Sequence, residues 1–151
     1  MTHSLKRNRT TWLAYLVLTL FGYCLNSLGP LTPFLKSELN VSYAVASLHF
    51  TAFAVGIIVM GLGGSRLIDR LGRMRALWLG SFGLSLGTLL LLLGRDPMVT
   101  IATAFVMGLF GALILAIVPA TLNDLHGERR AVALTEANLL ASCVAAAAPL
   151  L

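Results

Sequence analysis

Lysine, arginine, aspartate and glutamate are absent from four long windows of this chain: Thr10–Leu35, Leu39–Ser65, Ala76–Gly94 and Pro97–Asn123. The windows are 26, 27, 19 and 27 residues long, so 99 of 151 positions lie in charge-free runs. About 20 mainly apolar residues in a helix cross the roughly 30 Å hydrocarbon core of a bilayer. Each window is therefore long enough for one span, and none for two. Within lipid, spanning backbone must be helical or form a closed barrel. Continuous apolar runs without two-residue alternation select helices. A fifth apolar segment, Ala131–Leu151, carries the single charge Glu136. The expectation is an all-α integral membrane chain of about five transmembrane helices, spanning about 12–33, 43–64, 76–94, 98–122 and 131–151.

Composition agrees, with 58% hydrophobic and 11% charged residues where soluble domains carry about 25% charged. The net charge of +5 is unevenly placed. With the N-terminus inside, Lys6, Arg7, Arg9, Arg66, Arg70, Arg73, Arg75, Arg129 and Arg130 fall in inner segments. Only Lys36 and Arg95 fall outside. That asymmetry predicts a cytoplasmic N-terminus in a cell (inner) membrane by the positive-inside rule. It is topological bias, with the lipid bilayer as partner and no nucleic acid implied. The first apolar segment outruns a signal-peptide core of about 7–15 residues and lacks its cleavage site, so it reads as a retained span.

Short connections predict sequential, antiparallel neighbours. Close helix packing in lipid needs small residues. Gly83 and Gly87 on the third span, Gly56, Gly61, Gly63 and Gly64 on the second, and Ala137, Ala141 and Ala145 on the fifth supply them.

Chemistry concentrates in the second connection, Ser65–Arg75, where Asp69 stands among Arg66, Arg70, Arg73 and Arg75. Gly72 there suits a sharp turn, since glycine accepts positive φ freely. Guanidinium groups can pair with Asp69 and with carbonyls at a helix C-terminus, so such a cluster can latch neighbouring helices together. Charge count alone favours an ordinary basic loop. Polar groups inside spans are costly, which singles out Asn26, His49, Glu136 and Asn138. Glu136 lies about 8 Å into its helix, within reach of Arg129, Arg130 or the inner headgroups, with cavity lining as the other reading. His49 and Asn26 sit at comparable depth, about 9 Å and 10 Å from the outer ends of their spans, so an interhelical hydrogen bond between them is expected. A contact with substrate or a proton is the alternative. Cys24 and Cys143 read as small hydrophobes. His3, His49 and His126 lack metal-ligand spacing, and neither a nucleophile elbow nor a phosphate loop is present. The expectation is no enzyme, no cofactor and no metal.

The order of residues in the second connection resembles the loop signature of the major facilitator superfamily, G-x-L-a-D-R-x-G-R-[RK]. Leu67, Asp69, Arg70, Gly72 and Arg73 match. Ser65 occupies the first glycine position, with Gly64 one place early, and Met74 the last basic position, with Arg75 one place late. The Leu28-Gly29-Pro30-Leu31 and Pro33-Phe34-Leu35 stretches are similar to the end of the family's first span. Pro119-Ala120 and Asn123–Arg130 resemble its connection from span 4 to span 5. The resemblance implies a cytoplasmic gate formed by Asp69, Arg70, Gly72 and Arg73, alternating access, and two six-helix halves around an unidentified small-molecule substrate. This chain is expected to be the N-terminal portion of such a transporter, a truncated product or fragment lacking the C-terminal half. The rival is a complete small oligomeric membrane protein, an exporter or structural subunit. Four-span exporters carry an acid in span 1, and Thr10–Leu35 has none. Two departures remove proton-coupled drug antiport from the expectation. Ala104 stands where many members have arginine, four residues before Gly108, and Ala148-Pro149 replaces a glycine-proline pair.

Overall fold

Each helix boundary has a local chemical cause. In the computed structural model, which describes residues 7–147, Asn8 accepts the Thr11 amide and opens α1, Arg9–Glu38. Ser42 accepts the Val45 amide and opens α2, Tyr43–Leu71. Asn40, at φ 51°, makes the tight turn between them. α3 covers Arg73–Leu93. Asp96 then accepts the amides of Met98 and Val99, with Pro97 in the first turn where its missing N–H costs nothing. That cap opens α4, Pro97–His126. A 3-10 turn, Gly127–Arg129, leads to α5, Arg130–Ala147. Residues 148–151, including the Ala148-Pro149 pair and the end of the expected fifth span, lie outside the described residues, as do residues 1–6.

Several helices run past the expected ends. α1 continues through Pro30 and Pro33 to Glu38, so the first connection is shorter than Thr32–Ser42. Nearby polar side chains bond the helix carbonyls: Ser27 to Tyr23 O, and Thr32 to Leu28 O. The basic stretch Ser65–Arg75 is not a loop. α2 absorbs it to Leu71, α3 starts at Arg73, and Gly72 alone is non-helical. Leucine, isoleucine and arginine are good or tolerable helix formers, and Arg70 in the last turn complements the helix dipole.

Four helical stretches are long and apolar enough to cross a membrane, the last being Pro97–Ala147. That last stretch contains two antiparallel helices. His126 of α4 meets Thr11 near the start of α1, and Ala141 of α5 meets Gly22 further along it. Large apolar side chains such as Phe82 and Leu92 on α3 and Met98 on α4 face outward, as a lipid-facing surface requires.

Chain order does not decide which helices pack together. The principal pairs are α2 with α4, α3 with α4, and α1 with α5. α4 touches all the others and carries the longest list of buried residues, including Met107, Leu113, Ile114, Ile117, Val118 and Leu122. α2 and α4 run parallel, because His49 meets Thr100 and Gly64 meets Leu113. They cross where both helices have glycine. A β-carbon on Gly108 would strike the backbone carbonyl of Phe53, and one on Gly56 that of Phe105. On α3, Gly83 lies under the Phe110 ring and Gly87 under Met107. Gly64 touches Met60 and Leu113, whereas Gly61 and Gly63 meet no neighbour within 4 Å. On α5, Ala137 and Ala141 are buried together with Ala133, and Ala145 is half-buried.

Candidate functional site

Three polar assemblies interrupt the apolar bundle, two at its basic end and one at the other. The first is built on Glu136, one and a half turns into α5. Arg7 grips its carboxylate through Nε at 3.0 Å and Nη2 at 2.6 Å, and Tyr15 donates its hydroxyl at 3.0 Å. The carboxylate raises the Arg7 pKa, chiefly through the hydrogen bond between them. The expected partners Arg129 and Arg130 make no ion pair with Glu136. Both stand at the α4–α5 turn, whereas the parallel packing of α1 and α5 brings the N-terminal arm alongside Glu136. Beside it, Thr11 Oγ1 lies 3.0 Å from His126 Nε2 and donates to Asn8 Oδ1 at 2.8 Å. The start of α1, the end of α4 and the first turns of α5 are thereby tied together.

Tyr15 is 1% exposed, so its hydroxyl depends on this acceptor. Removing the carboxylate in Glu136→Ala leaves that buried donor unpaired and is expected to cost about 1 kcal/mol. Glu136→Gln keeps an acceptor and should recover most of that loss, because the exposed ion pair itself contributes little. Unfolding in mixed micelles, followed by circular dichroism, measures both. Equal losses for the two variants would refute the role assigned to the Tyr15 bond.

The second assembly surrounds Gly72, whose φ of +82° and ψ of 149° belong to glycine almost exclusively. Its amide closes α2 on Ile68 O, and its carbonyl starts α3 by accepting from Ala76. The turn delivers Arg73 to Asp124, near the end of α4, where the two form an ion pair. Asp69 was expected to sit among paired arginines, yet no ion pair joins it to an arginine among the described residues. Arg66 precedes it by three residues, the less favourable order for such a pair on a helix, and Gly72 turns Arg73 away toward α4. Asp69 and Arg70 are exposed.

The third assembly is His49, 1% exposed, between α2 and α4. Nδ1 stands 2.9 Å from Ala46 O. A carbonyl only accepts, so Nδ1 carries a proton. Nε2 meets Thr100 Oγ1 at 3.0 Å. The expected bond from His49 to Asn26 is absent, because α2 turns this face to α4 and Asn26 donates instead to Gly22 O of its own helix at 2.8 Å. Asn26 shares an open groove of about 360 Å³ with Asn138 and Ser142 of α5.

A loop signature bent around a lone glycine, with its second arginine engaged at the end of the fourth helix, is a specific arrangement. A family model described as Major Facilitator Superfamily matches residues 11–151. The chain belongs to the major facilitator superfamily. Comparison with curated proteins and with solved structures returned no match. Members of this superfamily are membrane transporters, not enzymes, so the apolar helices are those of an integral membrane transport protein. Within that frame Gly72 and Arg73 hold the α2–α3 reversal against α4.

Arg7, Thr11, Tyr15, Thr100, Asp124 and His126 escaped sequence reasoning as site residues. Asp124 had a readable signal, being the first acid after a 27-residue charge-free run. Arg7 and Glu136 are 129 residues apart, and nothing local links them.

Proposed function

We propose that this chain forms the N-terminal portion of a secondary transporter that moves a small solute by alternating access. It would sit in the cell (inner) membrane with its N-terminus in the cytoplasm and a second helical half completing the pathway. The observation that carries the reading is the superfamily signature at the α2–α3 reversal, joined through Arg73 to Asp124. The grouping of nine of the eleven lysines and arginines at one end supports the orientation. In this reading Gly72, Arg73 and Asp124 hold the basic end of the helices as one body. Asp69 and Arg70, both exposed, meet the opposing half when the cytoplasmic side closes. Asn26 and Asn138 line the wall that faces the pathway.

Proteoliposomes carrying the chain together with its second helical half, assayed with radiolabelled sugars, polyols, amides, amino acids and carboxylates, are expected to take up at least one faster than protein-free vesicles. Asp69→Asn is then expected to lower the initial rate about tenfold, equivalent to roughly 1.4 kcal/mol of barrier, with the amount of inserted protein unchanged. An unaltered rate removes Asp69 from the gate. Uptake of nothing in the panel removes the transport reading.

A further inference from the structure

The groove between α1 and α5 differs in kind from the other polar places in this molecule. The helices touch most closely where a β-carbon on Gly22 would lie 3.2 Å from Ala141 Cβ. Asn26 stands one turn beyond that crossing on α1, and Asn138 one turn before it on α5. Because the helices run parallel, the two carboxamides flank the contact at opposite ends, with Ser142 between them on the groove wall and Ala145 level with Asn26. Both asparagines are exposed on the outer face of the bundle, within segments otherwise apolar enough to cross a membrane. Polar groups at that position need partners that hydrocarbon does not provide.

Their orientations follow from the carbonyls beside them. Asn26 Nδ2 donates to Gly22 O at 2.8 Å, and Asn138 Nδ2 to Leu134 O at 2.9 Å. Those carbonyls only accept, so the amide nitrogen must face them in each case. Each carboxamide keeps its Oδ1, with two acceptor sites, and one N–H donor for the groove. Ser142 adds a hydroxyl.

No charge accompanies them. α1 has none from Thr10 to Leu35, and α5 has none beyond Glu136, whose carboxylate is occupied by Arg7 and Tyr15. An ion entering a low-dielectric groove without a countercharge meets a desolvation penalty that neutral amides do not offset. A neutral solute carrying hydroxyl or amide groups meets two acceptor oxygens, two N–H donors and a hydroxyl. The volume, about 360 Å³, lies within the range of small-molecule sites.

We infer that the α1–α5 groove is a subsite for an uncharged, hydrogen-bonding solute of the polyol, sugar or amide class, held by Asn26, Asn138 and Ser142. This rests on the proposal that the groove faces the transport pathway. It excludes organic anions and cations as the species bound at this wall.

Thiol labelling separates the two ideas. In a Cys143→Ser background, Asn26→Cys and Asn138→Cys are reacted in membranes with a neutral, an anionic and a cationic methanethiosulfonate, each rate normalised to that with free mercaptoethanol. Phe82→Cys, on the outward face of α3, is the lipid-exposed control. The expected result is neutral labelling at both groove positions at least about tenfold faster than at Phe82→Cys. Both charged reagents should lag the neutral one by about tenfold or more, the size of a 1.4 kcal/mol penalty. Equal normalised rates for all three reagents, or a charged reagent ahead, overturn the neutral-solute assignment while leaving a water-filled groove. Neutral labelling no faster than at Phe82→Cys overturns the groove as part of a pathway, and the solute class with it.

Discussion

Gly108→Ala is expected to destabilise the folded chain by about 2–3 kcal/mol, although glycine to alanine within a helix ordinarily stabilises by roughly 0.5–1 kcal/mol. The sign reverses because a β-carbon at Gly108 meets the Phe53 carbonyl, and backbone cannot swing aside as a side chain can. The two helices would have to separate, loosening the seat of the Phe53 ring, and of the Phe21 ring beside it, against Gly111 of α4. Gly56→Ala faces the Phe105 carbonyl across the same crossing and should cost a similar amount. Gly61→Ala meets no neighbour within 4 Å and should be neutral or slightly stabilising. Circular dichroism of unfolding in detergent mixtures tests all three. A stabilising Gly108→Ala would show that α2 and α4 do not cross there.

Gly72→Ala is expected to cost about 1–3 kcal/mol, the range for a non-glycine residue held in that region of backbone space. No atom lies within 4 Å of the position a β-carbon would take, so the cost is conformational, not steric crowding by neighbours. A clear discriminator is that Gly72→Asn should be no better than alanine. Asparagine tolerates the left-handed helical region, but ψ of 149° lies far from it. Rescue by asparagine would mean the turn has a different backbone shape. Because Gly72 is the only residue between α2 and α3, relaxation of its φ would also carry Arg73 away from Asp124. Loss of stability should therefore be accompanied by weaker coupling in an Arg73–Asp124 double-mutant cycle.

Position along a span could be read from the sequence, and position around it could not. Counting at 1.5 Å per residue placed His49, Asn26 and Glu136 at sensible depths, and the charge-free windows located the helices. The partners came out differently. His49 faces Thr100, Asn26 faces the α5 groove, and Glu136 faces Arg7. The His49 and Asn26 corrections share one origin, the assumption that consecutive helices are the closest neighbours, and the Glu136 correction another, that the arginines nearest in sequence are nearest in space. In lipid an outward apolar face looks like an inward one, so periodicity does not report which side of α2 meets α4. The hydrophobic pattern that orients helices in soluble proteins is missing, and only the small residues, the glycines and the Ala137–Ala141 face of α5, marked the interfaces. Even these were ambiguous, since Gly61 and Gly63 meet nothing while Gly56 is indispensable to the crossing.

Gly72 shows the opposite case. Its identity, spacing and charge surroundings announced a turn, and the turn is there. The extent of helix on either side was hidden because Leu67, Ile68, Arg70 and Leu71 suit a helix that projects beyond the bilayer as well as they suit a loop.

Pairing α1 with α5 has a consequence for how the molecule is made. About 120 residues separate the start of the first helix from the start of its main partner. At a ribosome's pace of about 5–20 residues per second, α1 waits on the order of ten seconds before that neighbour exists. α2 likewise waits for α4, its principal contact. The first three helices therefore enter the bilayer with their intended faces against lipid. During that interval the Gly56 surface and the Tyr15 hydroxyl are open to whatever insertase, chaperone or stray helix lies nearby. Synthesis of α4 supplies the main partner of α2 and α3, and α5 then closes the interval by bringing Glu136 to the Tyr15 hydroxyl.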